Sequence, residues 1–262
     1  MSLGVSKGIG EVANYKPLAR CGMEELAARQ RSITPSGGVL FARNTDREEK
    51  AAARQLVLDL FHPDRWGPSL RILTMPSVHW RFERKLLAMR QPGWMRDAKP
   101  RGTYFTGVEN DRSIFFAAVA QMPGLHTPRA VVKQVKNNYP FAEMGIKTNY
   151  GSFFFANVDD FVTHEWDGGW EAAWLDFTGP LTAVRLRKIK RFYERHVSGV
   201  LIVTALKARW HKDDSEAIKK AGGHTEWVRR YLDGEVLHDL EYCDTAPMVQ
   251  VALRKPVQQE GK

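Results

Sequence analysis

The stretch AAWLDFTGPLTAVRLRKIKRFYERHVSGVLIVT, at positions 172–204, places a charged segment between two short apolar runs. Ala172 to Leu175 and Gly199 to Thr204 have the length and composition of buried strands. Between them, from Leu181 to His196, apolar residues recur with the period of an amphipathic helix, and we expect Val184 on its buried side with Leu186. A strand, a helix and a second strand in this order predict a parallel crossover unit.

The same alternation begins upstream, at residue 69. Three further runs predict strands, and two helices are predicted after the first and second of them. The strands are Leu70 to Thr74, Thr103 to Val108 and Ser152 to Ala156; the helices are Val78 to Arg90 and Ser113 to Met122. Short apolar strands separated by helices predict a mainly parallel sheet that is covered on both faces.

The end of the chain departs from this alternation. A mostly helical segment from Glu216 to Leu232 precedes two successive strands, Val236 to Tyr242 and Pro247 to Leu253, with a turn around Asp244. Two consecutive strands predict an antiparallel hairpin at one edge of the sheet. The predicted fold class is therefore α/β, with a mainly parallel doubly wound sheet, helices on both faces and a C-terminal antiparallel hairpin.

The domain organisation follows from the distribution of glycine, proline and acidic residues. Residues 1–45 are rich in glycine and proline and predict a partly ordered N-terminal extension. Acidic residues at 46, 48 and 49 open a leading helix that ends before Pro63, and a single α/β domain is predicted over 46–258. The segment 124–150 is predicted as a long basic loop that forms a substrate lid.

Composition and charge narrow the classes of function. Lys and Arg number 39 against 30 Asp and Glu, so the net charge is +9 and the chain favours polyanionic partners, nucleic acid (DNA or RNA) above all. The hydrophobic fraction of 43% excludes wholesale disorder, and two cysteines exclude a disulfide scaffold. No apolar stretch predicts a membrane span or a secretory signal, so we expect a cytoplasmic protein without a membrane partner. The oligomeric state stays open.

Ligands of open parallel sheets lie beyond the carboxyl ends of the strands, so the residues that follow each strand decide the chemistry. Polar or turn-forming residues follow the first four predicted strands: Pro76 and Ser77, then Glu109, then Asn157, then Asp176. A carboxylate at the end of the second strand has the position that holds ribose hydroxyls in dinucleotide folds. Each residue alone is more typical of a turn or a helix cap than of a binding site, but their order and spacing together indicate one binding edge.

In this order the chain resembles the class I S-adenosylmethionine-dependent methyltransferases. The resemblance rests on Gly107-Val-Glu109, Ala156-Asn-Val-Asp-Asp-Phe161, Trp174-Leu-Asp-Phe-Thr-Gly-Pro180 and the terminal hairpin, and it covers about residues 69 to 255. It implies S-adenosylmethionine as the cofactor. It also implies a Rossmann-like methyltransferase fold.

The resemblance also implies roles for individual residues. Glu109 would bind the ribose hydroxyls, Asn157 and Val158 would lie near the adenine, and the first turn with Pro76 and Ser77 would contact the methionine part. Asp176 would lie where the methyl group is transferred and would orient a target amine. A flipped-out substrate base would stack on Phe177 or, alternatively, on Trp174. The methyltransferase is therefore predicted to act on nucleic acid, with a base amine as the favoured acceptor.

Two departures from the family pattern keep other functions open. The first turn, Thr74-Met-Pro-Ser77, has no glycine, and a proline removes a backbone N–H donor. Asp176-Phe-Thr-Gly keeps only the acid of the motif that holds a target amine. The alternatives are a non-catalytic nucleic-acid-binding or assembly protein that uses the same fold, and a methyltransferase for a small molecule.

A dense basic segment follows the fourth predicted strand. Its cations, together with two that follow the fifth strand, are predicted to bind nucleic-acid phosphates: Arg185, Arg187, Lys188, Arg191, Arg195, Lys207 and Arg209. An equally good interpretation of the helical run is an ordinary solvated face. The scattered histidines show no ligand spacing, so no metal is expected, and no phosphate-binding loop or hydrolase elbow is present.

Overall fold

The computed structural model describes residues 48–66, 69–76, 79–90, 102–119, 121–122, 131–133, 142–148, 150–177, 179–207, 212–243 and 247–256. The helices in these ranges are α1 (Glu48–Leu60), α2 (Pro63–Trp66), α3 (Arg81–Arg90), α4 (Arg112–Val119), α5 (Val158–Phe161), α6 (Ala183–His196), α7 (Lys212–Ala221) and α8 (His224–Leu232). The strands are β1 (Leu70–Thr74), β2 (Thr103–Glu109), β3 (Val131–Lys133), β4 (Ala142–Lys147), β5 (Gly151–Ala156), β6 (Trp170–Asp176), β7 (Val197–Leu206), β8 (Glu235–Cys243) and β9 (Pro247–Arg254). No described helix is both long enough and apolar enough to cross a membrane.

All nine described strands form one sheet in the order β3-β4-β5-β2-β1-β6-β7-β9-β8. The central strands β5, β2, β1, β6 and β7 are parallel. Strand β9 runs antiparallel to both β7 and β8, so β8 runs in the direction of the central strands. The sheet is therefore mainly parallel, with the predicted C-terminal hairpin at one edge.

Helices cover both faces of this sheet. On β5, Phe153 packs against Phe115 of α4, whereas the next residue, Phe154, packs against Phe161 of α5. Neighbouring side chains of a strand point to opposite faces, so α4 and α5 lie on opposite sides. Helices α1 and α3 share the first side through buried Leu58 and Phe82, and α6 and α8 share the second side in a separate core.

A single long loop was predicted from the sequence for the segment 124–150, and this prediction was wrong. The segment contributes β3 and β4, which pair antiparallel with each other and extend the sheet beyond β5. The strands were missed because β3 has only three residues and β4 contains Glu, Gly and Lys, so neither gives a clear apolar run. The substrate lid predicted for this segment stays a prediction.

The mostly helical segment predicted from Glu216 to Leu232 is confirmed, and its two glycines separate α7 from α8, since Gly222 and Gly223 take φ values of +96° and +129°. One helical expectation needs correction. Val184, expected on the buried side of α6, is 56% exposed. The N-terminal extension predicted for 1–45 lies outside the described residues.

Candidate active site

The carboxyl ends of β5, β2, β1 and β6 lie side by side, because these strands are parallel and paired in register. Thr74 at the end of β1 pairs with Gly107 of β2, and Glu109 at the end of β2 pairs with Phe155 of β5. We call the segment at the carboxyl end of each strand its exit. The exits of these four strands carry Pro76, Glu109, Asn157 and Asp176, and they therefore lie along one edge of the sheet. Ser77 lies outside the described residues, and the cofactor contact predicted for it stays a prediction.

Glu109 ends β2 with its carboxyl group folded over the turn that follows. Its Oε1 accepts hydrogen bonds from the backbone N–H groups of Asn110 and Asp111, at 2.8 and 2.7 Å. Its Oε2 makes no hydrogen bond with any described residue. Burial raises the pKa of the carboxyl group to about 7, and the two backbone donors offset only part of that effect. Glu109 thus presents one oriented oxygen that can accept from a ligand hydroxyl.

The turn after β1 is packed down on the sheet by its own side chains. Pro76 is buried, and Trp80 is fully buried with a φ of +51° and an indole N–H that donates to the carbonyl of Ala118 at 2.7 Å. A methyl group added at Gly107 would come within 3.1 Å of the Pro76 ring and 3.2 Å of the Trp80 ring. Among the described residues of this turn, the rings of Pro76 and Trp80 fill the space that Gly107 leaves.

Asn157 and Val158 begin α5. The Asn157 side chain is the N-cap of this helix and accepts from the backbone N–H of Asp159 at 2.8 Å. Val158 is buried in the core beneath it. Both residues directly follow the carboxyl end of β5, where the adenine contact was predicted, and that contact stays a prediction.

Asp176 and Phe177 lie at the end of β6. Asp176 is half-buried and pairs in register with Thr204 of β7. Phe177 is buried, and the guanidinium group of Arg185 lies 4.6 Å from the centre of its ring. A base could stack on that face only after Arg185 had moved, so the stacking role predicted for Phe177 would require a rearrangement.

The predicted phosphate-binding cations of α6 fall into two groups. Arg185 binds Asp159, and Arg191 and Arg195 both bind the carboxylate of Glu165. Arg187 and Lys188 form no hydrogen bond or ion pair with any described residue. The basic character that α6 offers to a ligand is therefore concentrated at these two positions. Lys207, beyond β7, binds Glu241, and Arg209 lies outside the described residues.

The sequence analysis did not foresee the acids that hold these arginines. Asp159 and Glu165 are both 26 residues upstream of a partner, Arg185 and Arg191 respectively. Such a separation has no local signature, because it depends on the distance between the turn after β5 and the start of α6. Trp80 was also missed, since nothing in the sequence marks the left-handed residue before α3.

The strand order and the reversed β9 define the fold of the class I S-adenosylmethionine-dependent methyltransferases. The magnesium protoporphyrin IX methyltransferase of Synechocystis, solved with S-adenosylmethionine bound, superposes with a TM-score of 0.51 at 11% identity, covering 88% of this chain and 97% of the other. The fold predicted from the sequence is thereby confirmed.

Two further solved structures have lower TM-scores. The N-methyltransferase NodS of Bradyrhizobium japonicum, in complex with S-adenosylhomocysteine, has a TM-score of 0.47 at 10% identity and covers 88% of this chain and 98% of its own. A candidate RNA methyltransferase of Pyrococcus horikoshii also has a TM-score of 0.47, at 9% identity, covering 89% and 99%. No protein-family profile matches the chain, and no curated protein matches its sequence.

Proposed function

We propose that the protein is an S-adenosylmethionine-dependent methyltransferase that acts on nucleic acid, with a base amine as the favoured acceptor. The observation that carries the cofactor assignment is the geometry of Glu109. Its Oε1 is fixed by two backbone N–H groups, and Oε2 has no hydrogen-bond partner in the described part of the chain, at the edge where ligands of such sheets bind. A carboxylate held in this way suits the two neighbouring hydroxyls of a ribose.

The three parts of the cofactor would meet different kinds of residues along this edge. The ribose end meets Glu109, and the adenine end would lie near Asn157 and Val158 on the neighbouring exit. The methionine end would meet the turn of Pro76 and Trp80, which offers side chains in place of glycine backbone. We therefore expect the methionine part to be held by fewer backbone N–H groups than a glycine turn would supply.

Asp176 is the acceptor-side residue of this proposal. When bound, S-adenosylmethionine supplies an electrophilic methyl group that is bonded to a positively charged sulfur. The carboxylate of Asp176 would accept a hydrogen bond from the target amine and so orient the nitrogen lone pair. The half-buried position of Asp176 suits this role, because partial exclusion of water strengthens such a charge-assisted hydrogen bond.

The nucleic-acid part of the proposal rests on charge. The chain carries +9 overall, and Arg187 and Lys188 are the two α6 cations without a partner among the described residues. The remaining α6 arginines named above are neutralised in part by Asp159 and Glu165. We therefore expect a small phosphate contact centred on Arg187 and Lys188, rather than a continuous basic stripe.

Calorimetry with S-adenosylhomocysteine tests the cofactor site. We expect micromolar binding by the unmodified protein. Replacing Glu109 with Ala should weaken binding by about 1–3 kcal/mol, the usual loss for a hydrogen bond to a charged group. A protein that is folded by circular dichroism and shows no heat at millimolar ligand would contradict the enzyme assignment.

Salt-dependent binding of short DNA and RNA tests the substrate class. A double Arg187→Gln, Lys188→Gln variant should lower the salt slope of log affinity by about 0.7–0.9 for each lost phosphate contact. The matched control is Lys190→Gln with Glu194→Gln, which removes a neighbouring ion pair on the same helix and leaves the net charge unchanged. An equal slope in all three proteins would remove nucleic acid from the proposal.

A non-catalytic nucleic-acid-binding or assembly protein is the second candidate function. The specific observation in its favour is the turn after β1, where buried Pro76 and Trp80 take the place of a glycine cradle. This candidate expects nucleic-acid binding that depends on Arg187 and Lys188 but no response to S-adenosylhomocysteine. The two measurements above therefore separate the two functions.

A further inference from the structure

A small cleft opens between the turn after β5 and the first turn of α6. Its volume is about 220 Å³, and it is lined by Asp159, Pro180, Thr182, Val184, Arg185 and Lys188. Pockets that enclose a drug-sized ligand occupy about 300–1,000 Å³. This cleft is smaller, so it suits one group of a larger molecule rather than a whole nucleoside cofactor.

Most of the polar groups that line the cleft are already engaged with the protein. Arg185 donates to both carboxylate oxygens of Asp159 and, through Nη1, to the carbonyl of Pro180. The hydroxyl oxygen of Thr182 accepts from the backbone N–H of Arg185. The Arg185 guanidinium holds the pKa of Asp159 below its usual range, so these two charges cancel at neutral pH.

Besides the hydroxyl hydrogen of Thr182, two donors in the cleft are left for a ligand. Lys188 forms no hydrogen bond or ion pair with any described residue, and its charge only acts on Asp159 at a distance. The backbone N–H of Val184 also has no partner in the part of the chain that the structure describes, whereas the N–H of Ala183 donates to Asp214. The charged side chains of the cleft therefore sum to +1, and the backbone N–H of Val184 lies beside them.

The cleft also presents an apolar surface beside these donors. Val184 is 56% exposed and is one of two large apolar side chains that are exposed among the described residues. Together with the Pro180 ring it forms an apolar surface. Removing such a surface from water is favourable by about 25 cal/mol per Å². An anion with an apolar or flat neighbouring group would satisfy the charge and cover this surface together.

We infer that this cleft binds a phosphate group together with the flat or apolar body that carries it, and that it is a recognition subsite for the methyl acceptor. Lys188 and the Val184 N–H would hold the phosphate, and the Val184 side chain with Pro180 would contact the attached body. The identity of the ligand as acceptor rests on the proposed function. The binding chemistry of the cleft does not depend on it.

The probe is phenyl phosphate, titrated into the full chain with amide NMR spectra recorded without cofactor. We expect shifts of the Thr182–Lys188 amides, and affinities at least tenfold weaker for inorganic phosphate and for phenol. Lys188→Gln should reduce the affinity for phenyl phosphate at least tenfold. Val184→Thr should weaken phenyl phosphate and phenol but not inorganic phosphate. The control Lys190→Gln should match the unmodified protein.

Equal affinities of the Lys188→Gln variant and the unmodified protein, or shifts confined to other parts of the chain, would overturn the inference. Phosphate alone binding as tightly as phenyl phosphate would do so too. The dinucleotide UpU identifies the source: shifts at the same amides indicate an internal phosphate of a nucleic acid, and a response to uridine 5′-monophosphate alone indicates a free nucleotide. Since no cofactor is present, a failure here leaves the cofactor result untouched, and the reverse also holds.

Discussion

Arg185 and Asp159 join the start of α6 to the turn after β5 through two parallel hydrogen bonds. Nε donates to Oδ1 at 3.1 Å and Nη2 donates to Oδ2 at 2.8 Å, and both side chains are about three-quarters buried. The same guanidinium group covers the Phe177 ring. One arginine therefore fixes the relative positions of the exits of β5 and β6, between which the proposed acceptor site lies.

A double-mutant cycle should show that this ion pair stabilises the fold. With Asp159→Asn, Arg185→Gln and the double variant, we expect a coupling of about 1–2 kcal/mol in the free energy of urea unfolding, between the values for exposed and buried pairs. The control pair Lys190 and Glu194 is longer, at 3.8 Å, and more exposed. Its cycle should give no more than about 0.5 kcal/mol. Equal couplings in the two cycles would contradict the special role of Arg185.

The buried carboxyl group of Glu83 should make stability depend on pH. Glu83 lies on α3 with 2% of its surface exposed, its Oε2 has no hydrogen-bond partner among the described residues, and burial raises its pKa from 4.5 to about 7. A raised pKa means that the protonated form stabilises the fold below pH 4.5 and that this contribution is lost as the pH rises through 7. A shift of this size corresponds to about 3 kcal/mol.

The Glu83→Gln variant isolates this contribution, because it keeps the shape of the side chain and cannot ionise. The difference in unfolding free energy, unmodified protein minus variant, should fall by about 3 kcal/mol between pH 4.5 and pH 8. Urea unfolding at several pH values provides the measurement, and all other titrating groups cancel between the two proteins. Parallel curves across this range would show that Glu83 does not titrate in the folded state near neutral pH.

The raised pKa of Glu109 predicts how cofactor binding varies with pH. If Oε2 accepts hydrogen bonds from ribose hydroxyls, the ionised carboxyl group is the binding form, and its population falls as the pH drops below about 7. The affinity for S-adenosylhomocysteine at pH 6 should then be about tenfold lower than at pH 8. Glu109→Gln should bind more weakly and without this pH dependence in calorimetry. A pH dependence that persists in the variant would assign it to another group.

The sequence predicted the central sheet well because the signal there is strong and local. Strand β1 was predicted at its observed bounds, and β2, β5, β6 and β7 within three residues at each end. These strands are buried on both faces, so they appear as continuous apolar runs. The exits were predicted for the same reason, since the end of such a run marks the residue that reaches the binding edge.

What the sequence did not predict depends on contacts between distant segments. Arg185 pairs with Asp159, and Arg191 and Arg195 pair with Glu165, so only Arg187 and Lys188 of these helix cations have no partner among the described residues. Helical spacing alone gives all of these cations the same status. Likewise, the sequence shows that the first turn lacks glycine but does not show that Trp80 fills the space above Gly107.

Gly107 provides a direct test of that packed turn. A Cβ at this position would come within 2.8 Å of the Phe153 ring, 3.1 Å of Pro76 and 3.2 Å of Trp80. The three rings are buried together, so they cannot all retreat, and Gly107→Ala should destabilise the fold by about 1–3 kcal/mol, the usual cost of overpacking. Gly168→Ala is the matched control, because a Cβ there meets nothing within 4 Å. Urea unfolding should place the control within about 0.5 kcal/mol of the unmodified protein. If Gly107→Ala were equally harmless, the turn after β1 would be loose enough to open toward a cofactor, and the observation that favours a non-catalytic protein would lose its force.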